Sequence, residues 1–254
     1  MSNERQQRAA RAEQMRKDRE KANRKQRNVI TIAIVSVVIV LVGVGGYAIK
    51  TTSDQNATNN KVIKPKGATK DFAVPYTTLA ATGTAATSPV TVTAYEDFQC
   101  PACKSFEEQS GAFLTGLVDK GEITLEYRPI SFLNDASNGN EYSSRSASAA
   151  MCVLDTSGLK SYKKMHDVLY ANQPEENSNG LPDSALLDFA KQAGVTDVDT
   201  CIKSEKYVPW LEDATAASRD ADVSATPTIK VGGKVVQSPT VANLQAAIDA
   251  AKKA

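Results

Sequence analysis

The chain has 254 residues, 41% hydrophobic and 23% charged, with a formal net charge of +1, a composition that excludes collagen-like, low-complexity and wholly disordered classes. The first 28 residues hold ten Lys or Arg against four acids and so carry +6, which leaves −5 on the rest. A mildly acidic body without a basic stripe interleaved with aromatics argues against a nucleic-acid partner.

The basic segment 1–28 reads as a solvated cytoplasmic tail that sets membrane orientation. Val29 to Ile49 follow as 21 residues without a charge, long enough at helical rise to cross a bilayer, and predict one transmembrane helix. The run exceeds the apolar region of a cleavable signal peptide and is followed by Ala48-Ile49-Lys50-Thr51, so cleavage is the weaker reading. Only Lys50, Lys61, Lys64 and Lys66 follow it before residue 70, so positive-inside counting keeps the N-terminus in the cytoplasm and places the rest outside. Residues 50–75 are rich in Thr, Asn, Lys, Ser and Gln and read as a flexible linker with a reach of about 25 Å.

The remainder, 76–254, reads as one globular domain. Pro89 to Tyr95 predict a buried strand, Pro101 to Asp119 a helix and Ile123 to Arg128 a second strand, an order that implies a parallel pair. Four helical stretches follow: Ser143 to Leu154, Ser161 to Tyr170, Pro182 to Ala193 and Val208 to Asp222. Thr228 to Val231 and Lys234 to Gln237 flank Gly232-Gly233, a hairpin signal, and Thr240 to Ala251 predict a closing helix.

Chemistry concentrates in four cysteines. Cys100-Pro101-Ala102-Cys103 follows a strand and opens a helix. There the unpaired N–H groups and the helix dipole favour a thiolate at Cys100, and Pro101 suits the first helical position. Cys103, one turn on, suits a resolving thiol. The competing readings are half of a zinc site or a fixed disulfide. Zinc would need two further ligands, and Cys152, Cys201 and the single histidine, His166, have no paired spacing, so no metal and no cofactor are expected. Cys152 and Cys201, outside a membrane, read as a structural disulfide against the alternative of two buried free thiols. His166 lies in an amphipathic helix beside Met165 and Leu169 and reads as packing or surface.

The stretch Tyr95-Glu-Asp-Phe-Gln-Cys-Pro-Ala-Cys103, with Ala225-Thr-Pro-Thr228 before a Gly-Gly hairpin, resembles the DsbA-like thiol–disulfide oxidoreductases, most of all membrane-anchored actinobacterial members. The resemblance implies an α/β thioredoxin fold with a helical insertion at about 134–206. It also implies that Thr226-Pro227 is a cis-proline element against the cysteines, where it would meet an extended substrate. Three departures stand out. Ala102 replaces the histidine many relatives carry between the cysteines, Ala94 stands where an acid is common, and Asp222 and Ala225 stand where the family has glycines. Glu96 and Asp97 lie nearby. Asp97 reads either as the proton-relay acid, modulating the pair with Pro101 and Ala102, or as an exposed strand-end acid.

The resemblance implies an oxidase that donates the Cys100-Cys103 disulfide to unfolded, exported, cysteine-containing proteins. Its recycling partner would be a membrane quinone-linked enzyme, DsbB-like or VKOR-like. Two readings compete: a reductase or isomerase using the same residues, as in cytochrome maturation, and a non-catalytic tethered binding protein.

Overall fold

The structure, a computed structural model, describes residues 62–77 and 90–253. The transmembrane helix expected at 29–49 and the basic tail lie outside these residues. Among the described residues no helix is long and apolar enough to cross a membrane.

Strands β1 (Val74–Tyr76), β2 (Val90–Glu96), β3 (Ile123–Pro129), β4 (Thr228–Val231) and β5 (Lys234–Val235) form one sheet in the order β1-β3-β2-β4-β5. Strand β2 runs parallel to β3, with Val92 opposite Leu125, and antiparallel to β4, with Ala94 opposite Ile229. Its Val and Thr residues suit a central strand: Val90, Val92 and Ala94 are buried and alternate with half-buried Thr91 and Thr93. Strand β3 alternates the same way, with Ile123, Leu125 and Tyr127 inward. The β4–β5 hairpin turns at Gly232 and Gly233, whose φ values of 54° and 79° suit a two-residue loop needing left-handed backbone at both positions. Strand β5 ends at Val235, two residues short of the expected Gln237.

The linker expected over 50–75 stops sooner than its composition suggests. Residues 62–77 hold Ala68, Ala73, Val74 and Tyr76 in the core, and β1 pairs antiparallel with β3, Val74 opposite Tyr127. Phe72 packs on Trp210 with ring centroids 5.4 Å apart, and Arg128 pairs with Asp71 at 2.6 Å. A few apolar residues at the spacing of an edge strand outweigh a polar average, and the globular unit begins by residue 62.

Helix α1 (Pro101–Phe106) passes into a π turn (Glu107–Gly111) and then α2 (Ala112–Asp119), so one expected helix is interrupted by wider coiling. Helix α3 (Tyr142–Ala171) breaks at Gly158, whose φ of 78° and ψ of −173° separate the two expected helices. Its first half is rich in Ser and Ala, which allows close packing on every side. The buried hydroxyls find partners within the helix and across to its neighbour: Ser146 Oγ donates to Tyr142 O at 2.6 Å, and Ser148 Oγ accepts from Tyr207 N. Helices α4 (Asp183–Gln192), α5 (Asp199–Lys203) and α6 (Val208–Asp220) complete the helical region, and α7 (Val241–Ala251), capped by Thr240 Oγ1, packs on β4. Cys152 of α3 and Cys201 of α5 form a disulfide with Cα atoms 5.9 Å apart.

Candidate active site

The end of β2 feeds a tight loop that delivers Cys100 to the start of α1. Cys100 is the N-cap, with extended backbone (φ −77°, ψ 118°), and Pro101 is the first helical residue. Cys103 N and Lys104 N donate back to Cys100 O at 3.1 and 3.2 Å, and since Pro101 has no N–H, the earlier N–H of the turn that bears on the Cys100 sulfur is that of Ala102. From just beyond the end of α3, Gln173 Nε2 donates to both Phe98 O and Cys100 O at 3.0 Å and so clamps the loop. Gln99 Nε2 donates to Ala136 O at 2.6 Å from within the loop.

The two thiols are free and unequal. Cys100 is 7% exposed beside solvent-facing Pro101 and Ala102, whereas Cys103 is fully buried. Hydrogen bonding from the Cys103 thiol, with the Thr226 side chain and the Cys103 and Ala102 N–H groups, holds Cys100 down at about 6 against the cost of burial. Burial pushes Cys103 well above the usual thiol range, and the Cys100 and Glu96 charges add to the rise.

The 222–227 loop meets the pair from the other side. Thr226-Pro227 is a cis peptide, and Thr226 O accepts from Cys100 Sγ at 3.3 Å. Asp222 takes φ 58°, a conformation that Asp adopts at lower cost than most side chains, so the loop keeps its turn without a glycine.

Asp97 is not the exposed strand-end acid of the second reading. It is fully buried, and its carboxylate accepts from Gln99 N and Leu133 N, both at 2.9 Å. Burial raises its pKa. Those two bonds make it a clasp between the cysteine loop and the segment after β3. The acid whose charge bears on Cys103 is Glu96, while Asp97 meets that sulfur through its backbone N–H.

Glu96 belongs to a cluster that sequence spacing does not reveal. Its Oε2 lies 3.4 Å from His166 Nε2, both residues are buried, and Glu107 from the π turn completes a trio with donor atoms within 4.8 Å of one another. Burial and the neighbouring Glu96 push Glu107 up to about 7. Burial opposes a charge on His166, yet Glu107, Asp167 and Glu96 raise it to about 9. His166 is therefore not a surface residue: it packs among the rings of Phe98, Tyr127, Tyr162 and Tyr170 and also faces the carboxylates of Glu96 and Asp167. The one signal available beforehand was the pair of adjacent acids, Glu96 and Asp97, at the strand end. Cys152 and Cys201 lie apart from these groups, in their own disulfide.

Comparisons with known proteins follow the same lines. A family model described as Thioredoxin matches residues 79–250. The reduced form of the disulfide bond oxidoreductase DsbG from Mycobacterium tuberculosis is 33% identical over 74% of this chain and 90% of that one, with a TM-score of 0.63. Reduced DsbA from the same organism is 33% identical over 72% of this chain and 98% of that one, with a TM-score of 0.59. Among curated relatives, the serine/threonine-protein kinase PknE of Mycobacterium tuberculosis is 28% identical over 157 residues, which are 59% of this chain and 28% of that protein. The chain thus spans little more than a quarter of that relative's length.

Proposed function

The chain belongs to the thioredoxin family, among its DsbA-like thiol–disulfide oxidoreductases, and from that membership we propose that it works as an oxidase, donating a Cys100–Cys103 disulfide to exported proteins. The observation that carries this reading is the split between the two thiols, Cys100 lowered to about 6 and Cys103 raised. A substrate thiolate attacks Cys100 Sγ of the disulfide, a bond forms between them, and Cys103 leaves with the electron pair and takes up a proton. The substrate's second thiolate then attacks the substrate sulfur of the mixed disulfide. Cys100 departs as a stable thiolate, because a thiol of low pKa leaves fastest. Return attack by Cys103 is slowed, since at neutral pH that sulfur stays protonated. The products are an oxidised substrate and a dithiol enzyme. The Thr226-Pro227 loop beside Cys100 offers the backbone against which an extended substrate lies.

The uncharged run 29–49 and the charge asymmetry around it support a single-pass anchor with the catalytic domain outside the membrane. A quinone-linked membrane enzyme, DsbB-like or VKOR-like, would reoxidise the pair. Mixing the oxidised protein with a reduced two-cysteine peptide tests the direction. The oxidase reading expects one peptide disulfide per enzyme dithiol formed, and an equilibrium lying toward reduced peptide would contradict it.

A further inference from the structure

The cluster of Glu96, Glu107 and His166 has no part in the exchange steps above. It joins the end of β2, the π turn and, from much later in the chain, the second half of α3. Glu96 is 4% exposed, yet its Oε1 has no hydrogen-bond partner, and the buried Oε1 of Glu107 has none either. Buried carboxylate oxygens without partners are rare enough to call for a ligand. Tyr127 and Tyr162, whose hydroxyls are also buried and unpartnered, border the same gap beside Glu96 and His166, and it has no room for a water molecule.

We propose that Glu96, Glu107 and His166 form a binding site for one divalent metal ion of the Zn2+ type. Two carboxylates and a neutral imidazole supply two negative charges, which one divalent ion balances. The donor set of two oxygens and one nitrogen suits Zn2+, which binds such atoms at about 2.0–2.2 Å. Around one ion at that distance, donors lie roughly 3.0–3.5 Å apart. Glu96 Oε2 and His166 Nε2 already stand 3.4 Å apart, and the whole trio lies within 4.8 Å, so a modest inward swing of Glu107 closes the site.

Two supporting features are built around the trio. Asp167 Oδ1 stands 3.4 Å from His166 Nδ1 and is itself held by Lys163. A carboxylate on that nitrogen keeps the proton at Nδ1, so that a bound ion displaces the Nε2 proton and takes the lone pair there, the arrangement that orients metal-bound histidines. Gly111, on the π turn, supplies the room: a Cβ there would stand 2.5 Å from Glu107 Oε2. Access is through an open cleft of about 600 Å³, lined by Glu107, Lys163, Asp167 and Tyr170 among others. Sequence spacing indicated no metal because these donors come from separate elements.

The test uses the full chain in detergent, stripped by a chelator, with Cys100–Cys103 oxidised so that no free thiolate competes. Calorimetric titration with Zn2+ should show one equivalent bound. Glu107→Gln and His166→Asn should each weaken binding by tenfold or more, and Gly111→Ala should weaken it by displacing Glu107. Where a variant fails to fold, the wild-type protein decides with Co2+ as probe. Visible d–d absorption from the oxidised protein, without a thiolate charge-transfer band and abolished by Zn2+, supports the site. Absence of stoichiometric binding, binding unchanged in folded Glu107→Gln and His166→Asn, or binding seen only after the cysteines are reduced would overturn it.

Discussion

Lowering the pH from 7 to 5 should remove most of the stability that the Cys100 thiolate gives the reduced protein, without touching the oxidised one. The folded pKa of Cys100 is about 6, below an unfolded thiol at about 8.5. A depressed pKa contributes stability that is complete above the unfolded value and is lost as pH falls through the folded one. Linkage across that window gives about 1 kcal/mol at pH 7, rising to about 3 near pH 8 and vanishing near pH 5. Cys103, raised by burial, stays protonated in the folded state throughout, and groups outside the pair titrate in both redox forms and largely cancel. For a domain of this size 1 kcal/mol shifts melting by roughly 2–4 °C. Thermal unfolding of the reduced and oxidised forms at pH 5, 6 and 7 should show the reduced form gaining that much relative to the oxidised, with thiolate absorbance rising in step. A gap constant from pH 5 to 7, or one moving the other way, would refute the assigned acidity of Cys100.

Further outcomes follow from the same geometry. Cys103→Ser should accumulate mixed disulfides with substrate disulfides through Cys100, and Cys100→Ser should trap few, as read on non-reducing gels with mass spectrometry. Replacing Cys152 and Cys201 together by Ser removes a bond closing 49 residues of sequence separation. In the loop-entropy model that costs about 4 kcal/mol, a drop in melting temperature on the order of 10 °C, with exchange chemistry retained by the folded fraction. Ala102→His would place an imidazolium beside Cys100, further stabilise its thiolate and raise the reduction potential measured against glutathione.

What could be read from the residues is what neighbours along the chain decide. The alternation of β2 and β3, the Gly232-Gly233 turn and a proline opening the cysteine helix are local signals, and the structure keeps all three. The break at Gly158 likewise falls between two periodic stretches. Strand β1 was hidden because its apolar residues sit inside a polar segment, and only pairing with β3 gives them a place. The π turn was invisible because its residues are ordinary helix formers apart from Gly111, whose purpose emerges only with the Glu107 carboxylate above it. Glu96, Glu107 and His166 met for the same reason, since tertiary packing and not spacing unites them. Asp97 lay in a recognisable stretch, yet its role depends on Leu133 N, a donor 36 residues away.

The direction of disulfide exchange is the central claim, and the redox state of Cys100 and Cys103 in growing cells tests it most directly. Rapid acid quenching followed by alkylation with a mass tag separates the dithiol from the disulfide form. The Cys152–Cys201 bond is scored separately by a Cys152→Ser, Cys201→Ser background. An oxidase recycled by a membrane partner should be found with Cys100–Cys103 mostly as the disulfide. A pair held mostly as the dithiol would contradict the account and mark the protein as a reductase or isomerase.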